Sequence, residues 1–472
     1  MIARIQEKYN QLNMNVLKIT KMKYFNEIYA AALALVTILG WKFSSVAGMI
    51  IMILLGTAAL ILTKDLKYVI PNCIYFIFMF SEGFASDSFP IPVLVFGGIF
   101  AILILFFSFK DGIRLKRMKS LIGLAGLAIT TILPIIWCRA PKGNEVFYFL
   151  FFGNLGYLLL YMIMTNGIKE NGIDLLAVSM SFLVIILTCE CAFKVYELKM
   201  KWSDTPILAM WYYLGWGLCN EAGILLCLAL PFVFYLLGKQ EKISGMIYQN
   251  FKIIFGIVGI ILTTSRGAYL FGFIEIGILY LCLFFVSKKA RVYQNVFMIY
   301  FLLCLIGVVC LKEPLSAVIE KVIENVFTLG FDDNGRKEIW NLAYQHWKES
   351  PLTKIFGPGM ICEIQNIETA MGYQDSPLVF HSTFFETLVA GGLVGVLFLI
   401  IHFIQKYRNL KKCNLLFFIT IGIGLIIVDI YGFIDNSYHM YYYMLPLMVI
   451  MGAVDSSIFV EKEPLSLEAE SL

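Results

Sequence analysis

Residues 381–404 read HSTFFETLVAGGLVGVLFLIIHFI. From Thr383 onward this is an apolar run near the ~20 residues that cross a bilayer as a helix, and it follows directly on the longest polar segment of the chain, residues 312–380. Similar runs recur at 44–63, 68–84, 91–109, 120–138, 146–165, 173–193, 221–238, 249–264, 267–286, 293–311, 413–434 and 440–460. A shorter one at 28–41 is a thin first span or half of a re-entrant hairpin. The runs are continuous, whereas barrel strands would alternate apolar and polar residues. The sequence therefore predicts an all-α polytopic membrane protein with about 12–14 transmembrane helices. Composition agrees: 60% of the 472 residues are hydrophobic and 15% charged, with a mean hydropathy of +0.80.

Orientation follows from Lys and Arg, which favour the cytoplasmic side. With fourteen spans, cytoplasmic segments hold roughly 24 of the basic residues and the short loops opposite hold about seven. Lys110, Arg114, Lys116, Arg117 and Lys119 share one cytoplasmic loop, and Lys406, Arg408, Lys411 and Lys412 another. Both termini are then inside, and 312–380 is an extracytoplasmic loop of about 70 residues, a length that marks function rather than linkage. The expected organisation is a cytoplasmic tail 1–26, N-terminal helices 27–210, a core 211–460 that includes the loop, and a tail 461–472. The first 26 residues lack the apolar core and cleavage site of a signal peptide. The net charge of +4 is what this topology produces and gives no reason to expect nucleic acid. The eleven cysteines form no Cys-x-x-Cys pair and read as small apolar fillers.

Ionisable residues at bilayer depth are expensive and mark sites or pathways. The first six spans read as nearly free of them, whereas later ones carry Glu221, Arg266, Glu275, Glu386 and Asp429. Arg266 lies in Thr263-Thr264-Ser265-Arg266-Gly267-Ala268, a polar break too short for a loop, where the chain must turn. Its guanidinium, beside hydroxyls and exposed backbone N–H groups, suits a diphosphate; the plain alternative is a snorkelling arginine at a helix end. Arg336 opens an amphipathic helix over 336–350, with Ile339, Ala343 and Trp347 four apart, that would lie on the membrane face and end at Ser350-Pro351.

His381 precedes Thr383-Phe384-Phe385-Glu386, which reads as a capping box opening the next helix. An imidazole fixed there is suited to proton transfer near neutral pH, or else is an interface residue. Glu275 lies two and a half turns beyond Arg266 and reads as a polar lock between helices. Glu221, after Asn220 at a span start, is the better candidate for a site, and Asp429 and Asp435 are weaker ones. Four dispersed histidines without carboxylates at ligand spacing argue against a dedicated metal centre.

The order of these pieces resembles the O-antigen ligase and polymerase family of membrane glycosyltransferases. It is carried by Ser265-Arg266-Gly267-Ala268, by Gly335-Arg336-Lys337-Glu338-Ile339-Trp340 leading to Pro351 and Gly357-Pro358-Gly359, and by His381-Ser382-Thr383-Phe384 with Gly391-Gly392-Leu393-Val394-Gly395. Asn220, in Gly217-Leu218-Cys219-Asn220-Glu221-Ala222, resembles the family's upstream Asn segment. The likeness covers about residues 215–400, and Gly357-Pro358-Gly359 departs from the family's more usual Gly-x-Gly with a small or apolar middle residue.

The resemblance implies that a polyprenyl-diphosphate-linked oligosaccharide donor gives its glycan to the hydroxyl of a glycan acceptor, on the outer face of the cytoplasmic membrane, with release of polyprenyl diphosphate. No cofactor or metal is implied. Arg266 and Arg336, with Ser265 and Asn220, would hold the diphosphate. His381 would position or deprotonate the acceptor hydroxyl, with Glu221 the lesser candidate base. Membrane lipid surrounds the protein, and a flippase and chain-length regulators are the further partners such a reading allows. An Ile-, Lys-, Phe- and Tyr-rich composition leans toward a capsular or exopolysaccharide polymerase; a ligase acting on lipid A core is the alternative. A flippase or transporter would be expected to show related halves. A metal-dependent oligosaccharyltransferase would place an acidic pair in its first large outer loop, where Glu82 and Asp87 stand five apart.

Overall fold

The computed structural model describes residues 24–81, 90–137, 144–198, 212–286, 336–359, 380–438 and 440–460. The expected span at 293–311, most of the tails, His439, Glu82 and Asp87, and the rest of the 312–380 loop lie outside the described residues. Among the described residues the regular elements are helices, with no strand beyond one isolated bridge between Tyr213 and Leu218: α1 (Phe25–Lys42), α2 (Val46–Thr63), α3 (Ile70–Tyr75), α4 (Ile91–Phe109), α5 (Leu121–Ile132), α6 (Asn144–Gly167), α7 (Ile173–Glu197), α8 (Cys219–Lys239), α9 (Ile243–Leu262), α10 (Arg266–Val286), α11 (Arg336–Lys348), α12 (Pro351–Phe356), α13 (Thr383–Leu410), α14 (Leu415–Gly432) and α15 (Tyr441–Val460). Nine helices among the described residues are long and apolar enough to cross a membrane. The all-α polytopic expectation holds. The ambiguous run at 28–41 forms an 18-residue helix, α1.

The chain forms two compact units. One contains Met1–Phe107, Ile173–Phe331 and Asn414–Ile427; the other contains Ser108–Gly172, Asp332–Cys413 and Val428–Leu472.

In the first unit α7 and α8 are almost wholly buried, whereas α4 leaves most of its apolar side chains exposed, as a helix bordered by lipid does. The early spans read as nearly free of ionisable residues, and Glu190 of α7 is an exception among them. It is fully buried and accepts a hydrogen bond of 2.7 Å from the indole N–H of Trp216. A single carboxyl in a long apolar run is silent until its distant partner is seen. Glu275 is buried in α10 beside the Cys227 thiol of α8, the place of a lock between these helices.

In the second unit α13 packs along α5 with small residues at the contact. A Cβ on Gly123 would fall 2.5 Å from the His402 Cα, and the Gly123 N–H donates to Gln405 Oε1 at 2.9 Å. The expected uninterrupted span at 383–404 is broken: Gly392 has φ +61 and ψ −155. The fold there is sharp, since a Cβ on Gly395 would lie 3.1 Å from the Thr387 carbonyl oxygen, whereas residues eight apart in a straight helix are about 12 Å apart. The Gly357-Pro358-Gly359 turn closes on this break, backbone to backbone. The Gly359 N–H donates to the Val389 carbonyl at 3.1 Å, and a Cβ on Gly392 would meet the Gly357 nitrogen at 2.5 Å. Only glycine permits both that approach and a positive φ.

A second correction concerns Lys406, counted above among loop cations. It lies within α13, fully buried, and its ammonium donates to both Asp429 carboxylate oxygens, at 2.8 and 2.6 Å.

Candidate functional site

In the second unit the sequence builds a small polar cluster at the start of α13. Ser382 is the N-cap, its Oγ accepting from the Phe385 N–H. The expected capping box is thus displaced: the cap is one residue earlier, and Glu386 does not reach back to it. Thr383 is drawn elsewhere, its Oγ1 3.1 Å from Ser437 Oγ and accepting from the Ser437 N–H at 3.3 Å. On the other side of the histidine, the Trp340 indole N–H of α11 donates to the Phe380 carbonyl at 2.9 Å, while its ring stacks on Phe385 with centroids 5.4 Å apart.

His381 is therefore held from both neighbours, and it sits at φ +47. A non-glycine residue in the left-handed region costs of the order of 1 kcal/mol or more. Its side chain remains partly open, 34% exposed.

The held imidazole has a partner. His381 Nδ1 lies 3.2 Å from Asp435 Oδ1, in the turn after α14. The other oxygen of the same carboxylate, Oδ2, faces Arg336 Nη2 at 4.0 Å. Asp435 thus stands between the candidate base and a candidate phosphate-binding arginine, and it compensates a guanidinium that the N-terminus of α11 would disfavour. Glu386 is fully buried next to this cluster and within electrostatic range of Asp435.

Helix α11 is amphipathic as expected and ends at Lys348. Its apolar stripe is closed by protein, however: Ile339 and Ala343 pack with Phe380, Val389 and Phe385. Trp347 is likewise turned to protein, its indole N–H donating to the Lys354 carbonyl at 2.9 Å.

The remaining candidates belong to the first unit, where two helix N-termini meet. Thr263, Thr264 and Ser265 form the turn between α9 and α10, with Thr264 at φ +56. Ser265 Oγ accepts from the Ala268 N–H at 3.4 Å, so it caps the helix that Arg266 begins. Ala268 in turn rests on α8, where a Cβ on Gly223 would fall 2.5 Å from the Ala268 Cβ. The same Gly223 Cβ would lie 3.7 Å from the Ser265 Cβ, and Asn220 stands in the first turn of α8, three residues before Gly223. Arg266 is half-buried and has no carboxylate partner among the described residues. Paired N-termini with an arginine and a serine present backbone N–H groups and positive dipole ends to an anion.

Glu221 has a local task, its carboxylate accepting from the Leu218 N–H to cap α8. Before α8 the chain doubles back, with Tyr213 and Leu218 paired as an isolated antiparallel bridge, and the Trp41 indole N–H donates to the Leu214 carbonyl there at 2.7 Å. Among the described residues no three His, Cys, Asp or Glu side chains gather as a metal site would require.

The structure thus joins Arg336 to His381 through Asp435 in one unit, and in the other sets Ser265 and Arg266 at the start of a helix that packs on the first turn of α8, where Asn220 lies. Asp435 was the residue undervalued: it closes an apolar span in Phe433-Ile434-Asp435-Asn436-Ser437, and that position was its only signal.

A comparison with curated proteins finds no match. A comparison with family models matches residues 251–400 to the family described as O-Antigen ligase, a segment that contains α10, α11, α12 and the start of α13. Over this segment the chain is similar to the O-antigen ligase family, the family that the order of its motifs resembles.

Proposed function

We propose that the protein is a polysaccharide polymerase of the O-antigen ligase and polymerase type. In this reading it transfers a polyprenyl-diphosphate-linked glycan to a hydroxyl of an acceptor glycan at the outer face of the cytoplasmic membrane. The observation that carries the reading is the contact of His381 with Asp435, with Arg336 on the far oxygen of the same carboxylate. When the Nδ1–H of His381 donates to Asp435, Nε2 is left as the proton acceptor. The acceptor hydroxyl gives its proton to Nε2 as its oxygen bonds to the anomeric carbon of the donor. The bond from that carbon to the diphosphate oxygen breaks, and polyprenyl diphosphate leaves with the electron pair. The proton on His381 then passes to solvent or to the departing diphosphate.

Arg336 is assigned to the charge that develops on the leaving group, where preorganised donors act most strongly. Arg266 is the second guanidinium assigned to diphosphate, supported by Ser265, Asn220 and the two helix N-termini beside it. The test is direct: purified protein, a synthetic polyprenyl-diphosphate oligosaccharide and an acceptor glycan should yield an elongated glycan and polyprenyl diphosphate in equal amounts. Transport of the donor without bond cleavage would instead make the protein a transporter.

A further inference from the structure

The turn that carries Asp435 is fixed at two places beyond the site. Ser437, two residues on, is bound to Thr383, two residues after His381. Tyr438, the next residue, is fully engaged below it. Its hydroxyl accepts from the Lys406 ammonium at 2.8 Å, donates toward Asp429 Oδ1 at 3.2 Å, and lies 3.3 Å from His402 Nε2. Tyr407 also donates its hydroxyl to Asp429. Lys406 and His402 are fully buried, and Tyr438 and Asp429 nearly so.

A buried ion pair is weak evidence of net stability, because desolvation consumes much of the Coulombic gain; its better-attested use is to fix one register among several. Here the register is that of a short turn on which a single carboxylate must meet an imidazole held 54 residues earlier. Both sides of the His381–Asp435 contact stand on backbone that this network ties together through Thr383, Ser437 and Tyr438.

We propose that Tyr438, held by the buried Lys406–Asp429 pair, is a positioning residue that sets Asp435 against His381. The proposal rests on the reading of His381 as the base. It explains why a lysine is buried in α13 with both carboxylate oxygens of Asp429 turned to it. Without the phenol oxygen the turn loses one of its two anchors to α13, the one at Lys406, and keeps the one at Thr383, while the packing of the ring is kept.

The experiment uses Tyr438→Phe in the full-length protein, with Tyr161→Phe as the comparison. Tyr161 donates to Asp455 at 2.6 Å in another buried network, away from the turn. Two readouts are taken. In the transfer assay, Tyr438→Phe should lower kcat about 10–100-fold with the donor KM within about twofold, the scale expected when a catalytic group is misplaced by an ångström; Tyr161→Phe should leave kcat within about twofold. The second readout is the rate at which diethyl pyrocarbonate modifies His381, followed by peptide mass spectrometry, which needs no turnover. It should rise several-fold in Tyr438→Phe alone.

If Tyr438→Phe is not recovered as folded protein, Asp429→Asn, which keeps the side-chain shape and removes the charge, should give the same split. Unchanged kcat together with unchanged His381 modification in the recovered variant overturns the proposal. A changed modification rate with no effect on transfer would leave the linkage standing and overturn His381 as the base instead.

Discussion

His381 Nδ1 and Asp435 Oδ1 lie 3.2 Å apart across 54 residues of sequence, and the second oxygen of that carboxylate faces Arg336. One carboxylate therefore sets both the tautomer of an imidazole and the place of a guanidinium. Asp435→Asn keeps the shape but can present its amide N–H to Nδ1, favouring the tautomer in which Nε2 carries the proton. Transfer should fall about 10²-fold, with donor binding little changed. Steady-state kinetics beside equilibrium binding of the donor checks this; an unchanged kcat would leave Asp435 with a structural part only.

The arginines are tested by geometry rather than charge. Lysine keeps the positive charge at Arg336 or Arg266 but not the planar fork that grips two oxygens at once. Arg336→Lys and Arg266→Lys should each lower transfer by about 10-fold or more, and alanine at either position should lower it further. Normal polymer from both lysine variants at normal protein abundance would remove the diphosphate role.

The break in α13 yields a stability prediction. At Gly392 an alanine Cβ would meet the Gly357 nitrogen and the Ile355 carbonyl oxygen, each at 2.5 Å, on a backbone with positive φ. Gly392→Ala should cost about 2–5 kcal/mol, seen as a loss of folded protein and a lower midpoint of thermal aggregation. Gly98→Ala in α4, where nothing lies within 4 Å, should be neutral.

Membrane orientation is open to a chemical test. The bias of basic residues implies that a cysteine near residue 365 reacts with an impermeant thiol reagent in intact cells and that one near residue 115 does not. The reverse pattern would put the proposed site on the wrong face for a lipid-linked glycan delivered from outside.

What was legible in the sequence was local. Apolar runs located most of the helices, and the polar punctuation at Thr263–Ser265 and Ser350-Pro351 marked where they turn or stop. His381 stood out because it ends the long polar segment just before an apolar helix, and Arg336 because it opens an amphipathic helix within that segment. Relationships over distance were not legible: nothing in the chain pairs Asp435 with His381, or Glu190 with Trp216. Lys406 was misread because Arg408, Lys411 and Lys412 follow it, so it looked like part of a basic loop. The break at Gly392 was hidden because a Gly-Gly pair inside an apolar run has the same hydropathy whether the helix continues or folds. The cap of α13 was misplaced by one residue because Ser382 and Thr383 are both good caps, and Ser437 decides between them by claiming Thr383.

The proposed transfer depends most directly on His381. Its decisive measurement is the single-turnover rate of glycan transfer by purified His381→Ala with bound polyprenyl-diphosphate donor and saturating acceptor, set beside the donor affinity of the same preparation. If His381 is the base, donor affinity is unchanged and the rate falls about 10²–10⁴-fold, the range for loss of a positioned acid–base group. An undiminished rate would contradict it and leave Glu221 as the candidate base.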